Sequence, residues 1–325
     1  MSRLSDLASF ASRHRRLLGA VQLLLLAAFF LSLGWALRGS VRSAAHDLGD
    51  ANLVLFALGC AALGAYYLAF VLGWMRILAE WDIHLSYPAA LRAEMLSMLA
   101  KYVPGGIWTP AARVVAARRA GVTDAALVTS SMLLEAGISA VAGVIVFVLG
   151  LAFVDDVDAP LAPLVVFGAV LAVLLQPRVF RPLAGKVLRR LGYRRELPNM
   201  RARTLSALLV FYAGTWVLGG FAVWLLLRSV GAHPEPVSIV FLGGTAAVGA
   251  IVAVLFVFAP SGLGPREASM YGLLLAVATP GQALGAVALN RLALTAVELV
   301  LLLVGGLFLR GGGGRARETA ELPSV

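Results

Sequence analysis

The chain has 325 residues, 60% hydrophobic and 14% charged, with a formal net charge of +10 and a mean hydropathy of +0.89. A soluble domain of this size cannot hide that much apolar surface, and several runs exceed the roughly 20 residues that cross a bilayer. The composition therefore excludes a soluble enzyme and predicts an all-α polytopic membrane protein, in which the basic excess reports loop topology and not nucleic acid.

In chain order, residues 1–16 form a short basic segment with Arg3, Arg13, Arg15 and Arg16. The apolar run at about 17–37 resembles a signal peptide at first sight. It is too long for that and leads to no cleavage site, so it reads as a retained anchor. Long runs follow at about 51–75, 125–153, 161–176, 204–228, 237–258 and 284–309. Shorter ones at about 88–103, 107–118 and 267–279 flank two breaks. The first break is Pro104-Gly105-Gly106 and the second is Pro260-Ser261-Gly262. This pattern predicts six to eight transmembrane helices with one or two re-entrant Pro-Gly hairpins.

Charge orients these runs. The loop at 177–203 carries nine Lys and Arg residues, and the tail at 310–325 adds Arg310, Arg315 and Arg317. The positive-inside rule puts both, and the N-terminus, in the cytoplasm. The acidic turn Asp155, Asp156 and Asp158 has no nearby Lys or Arg and suits the outer face. The basic loop sets topology and also attracts anionic headgroups, at about 1 kcal/mol per residue near the surface.

With this orientation, the segment at about 88–119 enters and returns to the cytoplasmic side. The segment 237–280 starts and finishes outside, as a hairpin or as two full crossings. In the hairpin version, the order span, span, hairpin, span occurs twice with opposite orientation. That is an inverted-topology repeat, with repeat 1 at about 17–153 and repeat 2 at about 160–309 inside a membrane domain at 17–309. Such repeats place their site near the midplane between the two halves.

Ionisable residues at membrane depth are costly and call for a partner or a role. Glu135 lies ten residues into its run, roughly 15 Å deep, and that run offers it no neutralising neighbour. Arg291 and Glu298 share one face of the last span but stand too far apart to pair, so each is expected to meet another segment. Glu94 and Lys101 share a face of the first hairpin's rising arm, Arg113 lies on its returning arm, and Arg266 and Glu267 follow the second break. A helix that starts after a glycine-rich turn aims free N–H groups and positive dipole at the cavity, which favours an anion such as phosphate. Lys101, Arg113 and Arg266, with the turns Pro104-Gly105-Gly106 and Pro260-Ser261-Gly262, are thus the candidate headgroup contacts. Glu94, Glu135, Glu267, Arg291 and Glu298 are the candidate charge network.

The single cysteine, Cys60, permits no intrachain disulfide, and His14, His46, His84 and His233 lack metal-ligand spacing. No P-loop, nucleophile elbow or His-Glu-x-x-His motif is present, so neither an enzyme nor a cofactor is expected.

At these residues the chain resembles a known family. Lys101-Tyr-Val-Pro-Gly-Gly-Ile-Trp-Thr-Pro-Ala-Ala-Arg113, Ser131-Met-Leu-Leu-Glu135 and Pro260-Ser-Gly-Leu-Gly-Pro-Arg-Glu267 resemble the transmembrane region of lysylphosphatidylglycerol synthase, the flippase-like domain. The likeness runs from about Leu17 to Leu309, and Pro265 is a departure from the pattern. In the multiple peptide resistance factors, such a domain is associated with moving aminoacylated phosphatidylglycerol between leaflets, and a separate cytosolic domain makes that lipid. The short Gly/Arg/Glu tail leaves no room for a catalytic domain, so the resemblance implies the translocase-like half alone.

The expected function is therefore a bacterial inner-membrane lipid translocase, not driven by ATP, acting on a phospholipid or polyprenyl-phosphate lipid. The rival expectation is a membrane scaffold presenting a lipid-linked sugar to a partner glycosyltransferase or lipid-modifying enzyme. A homo-oligomer is compatible with either, and no nucleic-acid partner is expected.

Overall fold

The structure is a computed structural model and describes residues 48–100, 108–154, 157, 161–190, 197–256, 259 and 262–308. The first anchor at 17–37, the first Pro-Gly turn and the tail lie outside the described residues. Helix α1 (Leu53–Glu80) starts at Asn52, whose side chain accepts from the Val54 and Leu55 amides at 3.0 and 3.1 Å. This satisfies two of the amides that a helix start leaves unpaired. Helices α2 (Tyr87–Ala100) and α3 (Trp108–Arg119) flank the first break and pack on each other. At 14 and 12 residues, neither reaches across the roughly 30 Å hydrocarbon layer.

Helix α4 (Ala125–Gly150) begins at Asp124, which caps the Ala126 and Leu127 amides, and ends in a 3-10 turn at Leu151–Phe153. Helix α5 (Leu161–Leu175) meets α6 (Pro177–Arg190) at a bend of 77°. Helix α7 (Ala202–Ser229) is followed by α8 (Ile239–Leu255), the short α9 (Pro265–Leu274) and α10 (Pro280–Phe308). No strand occurs among the described residues. The protein is an all-helical, multi-pass membrane protein. Among the described residues, five stretches are long and apolar enough to cross a membrane: Leu53–Glu80, Ala125–Phe153, Ala202–Ser229, Pro236–Leu255 and Pro280–Val304. Counting the bent α5–α6 pair as one span makes six.

The packing has a regular order. Helix α1 packs on α7, and most other contacts come in matched pairs. The pair α1–α2 is matched by α7–α8, α1–α4 by α7–α10, and α1–α10 by α7–α4. Likewise α2–α3 is matched by α8–α9, α2–α10 by α8–α4, and α3–α4 by α9–α10. Exchanging α1–α4 with α7–α10 thus preserves the contact pattern.

Helix α8 fits between α4 and α7 because glycines line its contact faces. A Cβ on Gly244 would collide with the backbone of Phe147 on α4. One on Gly220 of α7 would collide with Ile239 and Gly243 of α8. Membrane helices lack a hydrophobic force between them, so close backbone approach at small residues supplies much of their association. Gly244→Ala should therefore lower stability by about 1–3 kcal/mol through overpacking. Gly214→Ala on exposed α7 surface meets nothing within 4 Å and should be neutral or stabilising by up to about 1 kcal/mol. Thermal unfolding in detergent compares the two; equal shifts would show that this approach is slack.

Candidate functional site

A cavity of about 190 Å³ opens where α1, α2, α7, α8, α9 and α10 converge. Tyr66, Tyr67 and Phe70 of α1 and Trp216 of α7 give it aromatic walls. Tyr66 stands at the centre of this cluster, with ring centroids 5.5 Å from Tyr67, 5.7 Å from Phe70 and 5.8 Å from Trp216. The polar lining comes from Glu94 on α2, Arg266 on α9 and Asn290 on α10.

Arg266 is placed by the second break. Gly262 and Gly264 adopt φ of 65° and 97°, left-handed values that side chains other than glycine's resist. Gly264 then caps α9 with Pro265 in the first helical position, and the Glu267 carboxylate accepts from the Gly264 amide at 2.6 Å. Proline suits that position because its missing N–H would have been unpaired anyway. Arg266 follows directly and is half-buried, and its Nε is fully buried without a hydrogen-bond partner. Such a donor has lost its water without gaining an acceptor, a costly state that an incoming anion would relieve.

Glu94, on the cavity lining, belongs to a second, buried charge cluster. Arg113 is 4% exposed and sits between two carboxylates, with Nη1 2.5 Å from Glu135 Oε2 and Nη2 against the Glu94 carboxylate. Its Nε and Nη2 also point at Ser97 Oγ, both at 3.4 Å, and its guanidinium lies 4.9 Å from the Trp74 ring centre. The Tyr212 hydroxyl donates to Glu135 Oε1 at 3.2 Å, and the Trp74 indole donates to Ser131 Oγ at 2.9 Å. Arg113 is thereby enclosed on every side. One guanidinium serves two acids, so this cluster carries a formal excess of negative charge.

Two further contacts complete the charged interior. Glu298 Oε1 accepts from the cavity-lining Tyr67 hydroxyl at 2.6 Å. Arg291 Nη1 pairs with Glu267 Oε1 at 3.2 Å. Each helix that follows a Pro-Gly break is thus tied to the next long helix by an ion pair, with reversed polarity. Arg113 of α3 holds Glu135 of α4, and Glu267 of α9 holds Arg291 of α10.

The expected site residues therefore separate. Arg266 and Glu94 line the cavity, and Gly262 shapes the turn before α9. Arg113, expected at the headgroup, lies instead inside the charge network, because Glu94 and Glu135 take its donors. Glu267 and Arg291 pair with each other away from the cavity lining, and Glu298 reaches the cavity through Tyr67. Lys101, Pro104, Gly105, Gly106, Pro260 and Ser261 lie outside the described residues. Sequence reasoning missed Tyr66, Tyr67, Phe70, Trp216 and Asn290. The cluster Tyr66-Tyr67 with Phe70 on one apolar helix was the available signal, as was the polar Asn290 beside Arg291.

No group of three or more metal-ligating side chains forms among the described residues. No curated protein matches the chain. The family model for the lysylphosphatidylglycerol synthase TM region does match, over residues 16–305. Its span takes in every helix described above up to the last turn of α10, and the chain belongs to that family.

Proposed function

We propose that this protein is a lipid translocase of the bacterial inner membrane, with both termini in the cytoplasm, that receives the headgroup of an anionic or amphiphilic lipid in its central cavity. The observation that carries this reading is Arg266, whose Nε is buried beside the cavity without an acceptor. A phosphate would supply that acceptor and a charge-assisted bond. The aromatic walls are amphipathic enough to pass both a headgroup and the start of its acyl chains. At about 190 Å³ the cavity is smaller than the usual range for whole drug-sized ligands, which suits a headgroup whose tails stay in the bilayer.

An inverted-topology repeat is the architecture we infer for this movement. The exchange of packing partners between α1–α4 and α7–α10 supports it. So does the pair of ion pairs with reversed polarity that ties the helix after each break to the next long helix. In such proteins, one half rocks against the other around a fixed midplane site.

The direct test is reconstitution of the purified chain into vesicles with fluorescent phospholipids in both leaflets. Without ATP, inner-leaflet label should become accessible to an external reductant far faster than in protein-free vesicles. A second reading, a scaffold that holds a lipid-linked sugar for a glycosyltransferase, draws on the aromatic walls, since sugar faces stack on such rings. Headgroup binding without leaflet exchange would favour the scaffold over the translocase.

A further inference from the structure

Helix α6 stands apart from the cavity and from the packing pattern of the spans. It turns away from α5 by 77°, so a steeply inserted α5 leaves α6 close to the membrane plane. Within its 14 residues it carries Arg178, Arg181, Lys186, Arg189 and Arg190 and no acid. Five such charges exclude α6 from the hydrocarbon, so the bent pair is not one broken span.

At 100° per residue the cations occupy one side of α6, while Phe180, Leu183 and Ala184 occupy the other and Val179 falls between Lys186 and Arg190. Phe180 and Ala184 pack on the protein core, and the Arg181 Nε donates to the Leu197 carbonyl at 2.9 Å. These contacts fix the rotation of the helix. They leave Leu183 49% exposed and Lys186, Arg189 and Arg190 exposed. An apolar residue open to the outside and flanked by unshielded cations is the arrangement of a helix lying at a lipid surface.

We propose that α6 is an interfacial helix and a binding site for anionic phospholipid headgroups, with Leu183 in the acyl boundary and Lys186, Arg189 and Arg190 on the phosphates. Charge complementarity selects the occupant, because the inner leaflet is negatively charged and attracts basic segments within a Debye length. This site would gather anionic lipid beside the protein independently of the central cavity.

The test uses the full chain in nanodiscs of phosphatidylcholine doped with phosphatidylglycerol. An environment-sensitive fluorophore replaces Leu183, as Leu183→Cys in a Cys60→Ala background. The label should report an apolar boundary and respond to added phosphatidylglycerol. Each cation removed should weaken that response by about fivefold. The variant Lys186→Gln/Arg189→Gln/Arg190→Gln should therefore need on the order of a hundredfold more phosphatidylglycerol for the same response. Arg189→Lys/Arg190→Lys should match the parent because the point charges remain, and Arg266→Gln should match it because the cavity is elsewhere. A Leu183 label open to aqueous quenchers in the nanodisc would overturn the proposal and favour a protein partner for this face. An unchanged titration in the triple Gln variant would overturn it as well.

Discussion

Arg266→Gln is expected to cut the amount of phosphate-bearing lipid that co-purifies with the protein by about tenfold or more, at matched folded yield. Hydrogen bonds to a charged group contribute about 1.5–3 kcal/mol, and the buried Nε of Arg266 is the cavity donor that lacks an acceptor. Arg266→Lys should retain part of the lipid, because it keeps a point charge and loses only the planar fork. Arg228→Gln is the control: Arg228 is exposed at the end of α7, with its guanidinium 4.8 Å from the Trp224 ring centre, and does not line the cavity. Lipid quantified against protein by mass spectrometry decides the matter. Equal retention by the Arg266 and Arg228 variants would remove the anion from the cavity and leave the scaffold reading ahead.

Much of the fold is legible in the sequence because the bilayer simplifies the problem. Long apolar runs must become helices, since no other open structure satisfies the backbone in lipid. The starts of α1 and α4 are also written locally, in Asn52 and Asp124. The intramembrane charges were equally visible, but their partners were not. Glu135 meets Arg113 across 22 positions, Tyr67 meets Glu298 across 231, and Tyr212 meets Glu135 across 77. Hydropathy and helical periodicity say which residues share a face, not which faces meet. This is why Arg113 reads as a headgroup contact from spacing alone, whereas in the folded chain its donors are taken. The cavity's aromatic walls were hidden for a related reason. Within an apolar membrane helix, Tyr66, Tyr67 and Phe70 look the same whether they face lipid, core or cavity.

The largest loss of stability is expected at Arg113. Arg113→Gln leaves Glu94 and Glu135 buried at 5% and 3% exposure with no cation between them. Removing one member of a buried ion cluster in this way costs about 3–5 kcal/mol, because the remaining charge is neither solvated nor paired. Folded yield and thermal midpoint in detergent should fall sharply. Glu135→Gln should behave differently, since Glu94 still neutralises Arg113 and the amide oxygen can still accept from Tyr212. Its cost should stay near that of one ordinary hydrogen bond, about 1 kcal/mol, so that any loss of lipid exchange by this variant reads as function and not as unfolding. The triple variant Glu94→Gln/Arg113→Gln/Glu135→Gln should recover much of what Arg113→Gln loses, because no charge is then stranded. Equal destabilisation by Arg113→Gln and Glu135→Gln would show that the two acids do not share one arginine, and the triple variant would then fail to rescue.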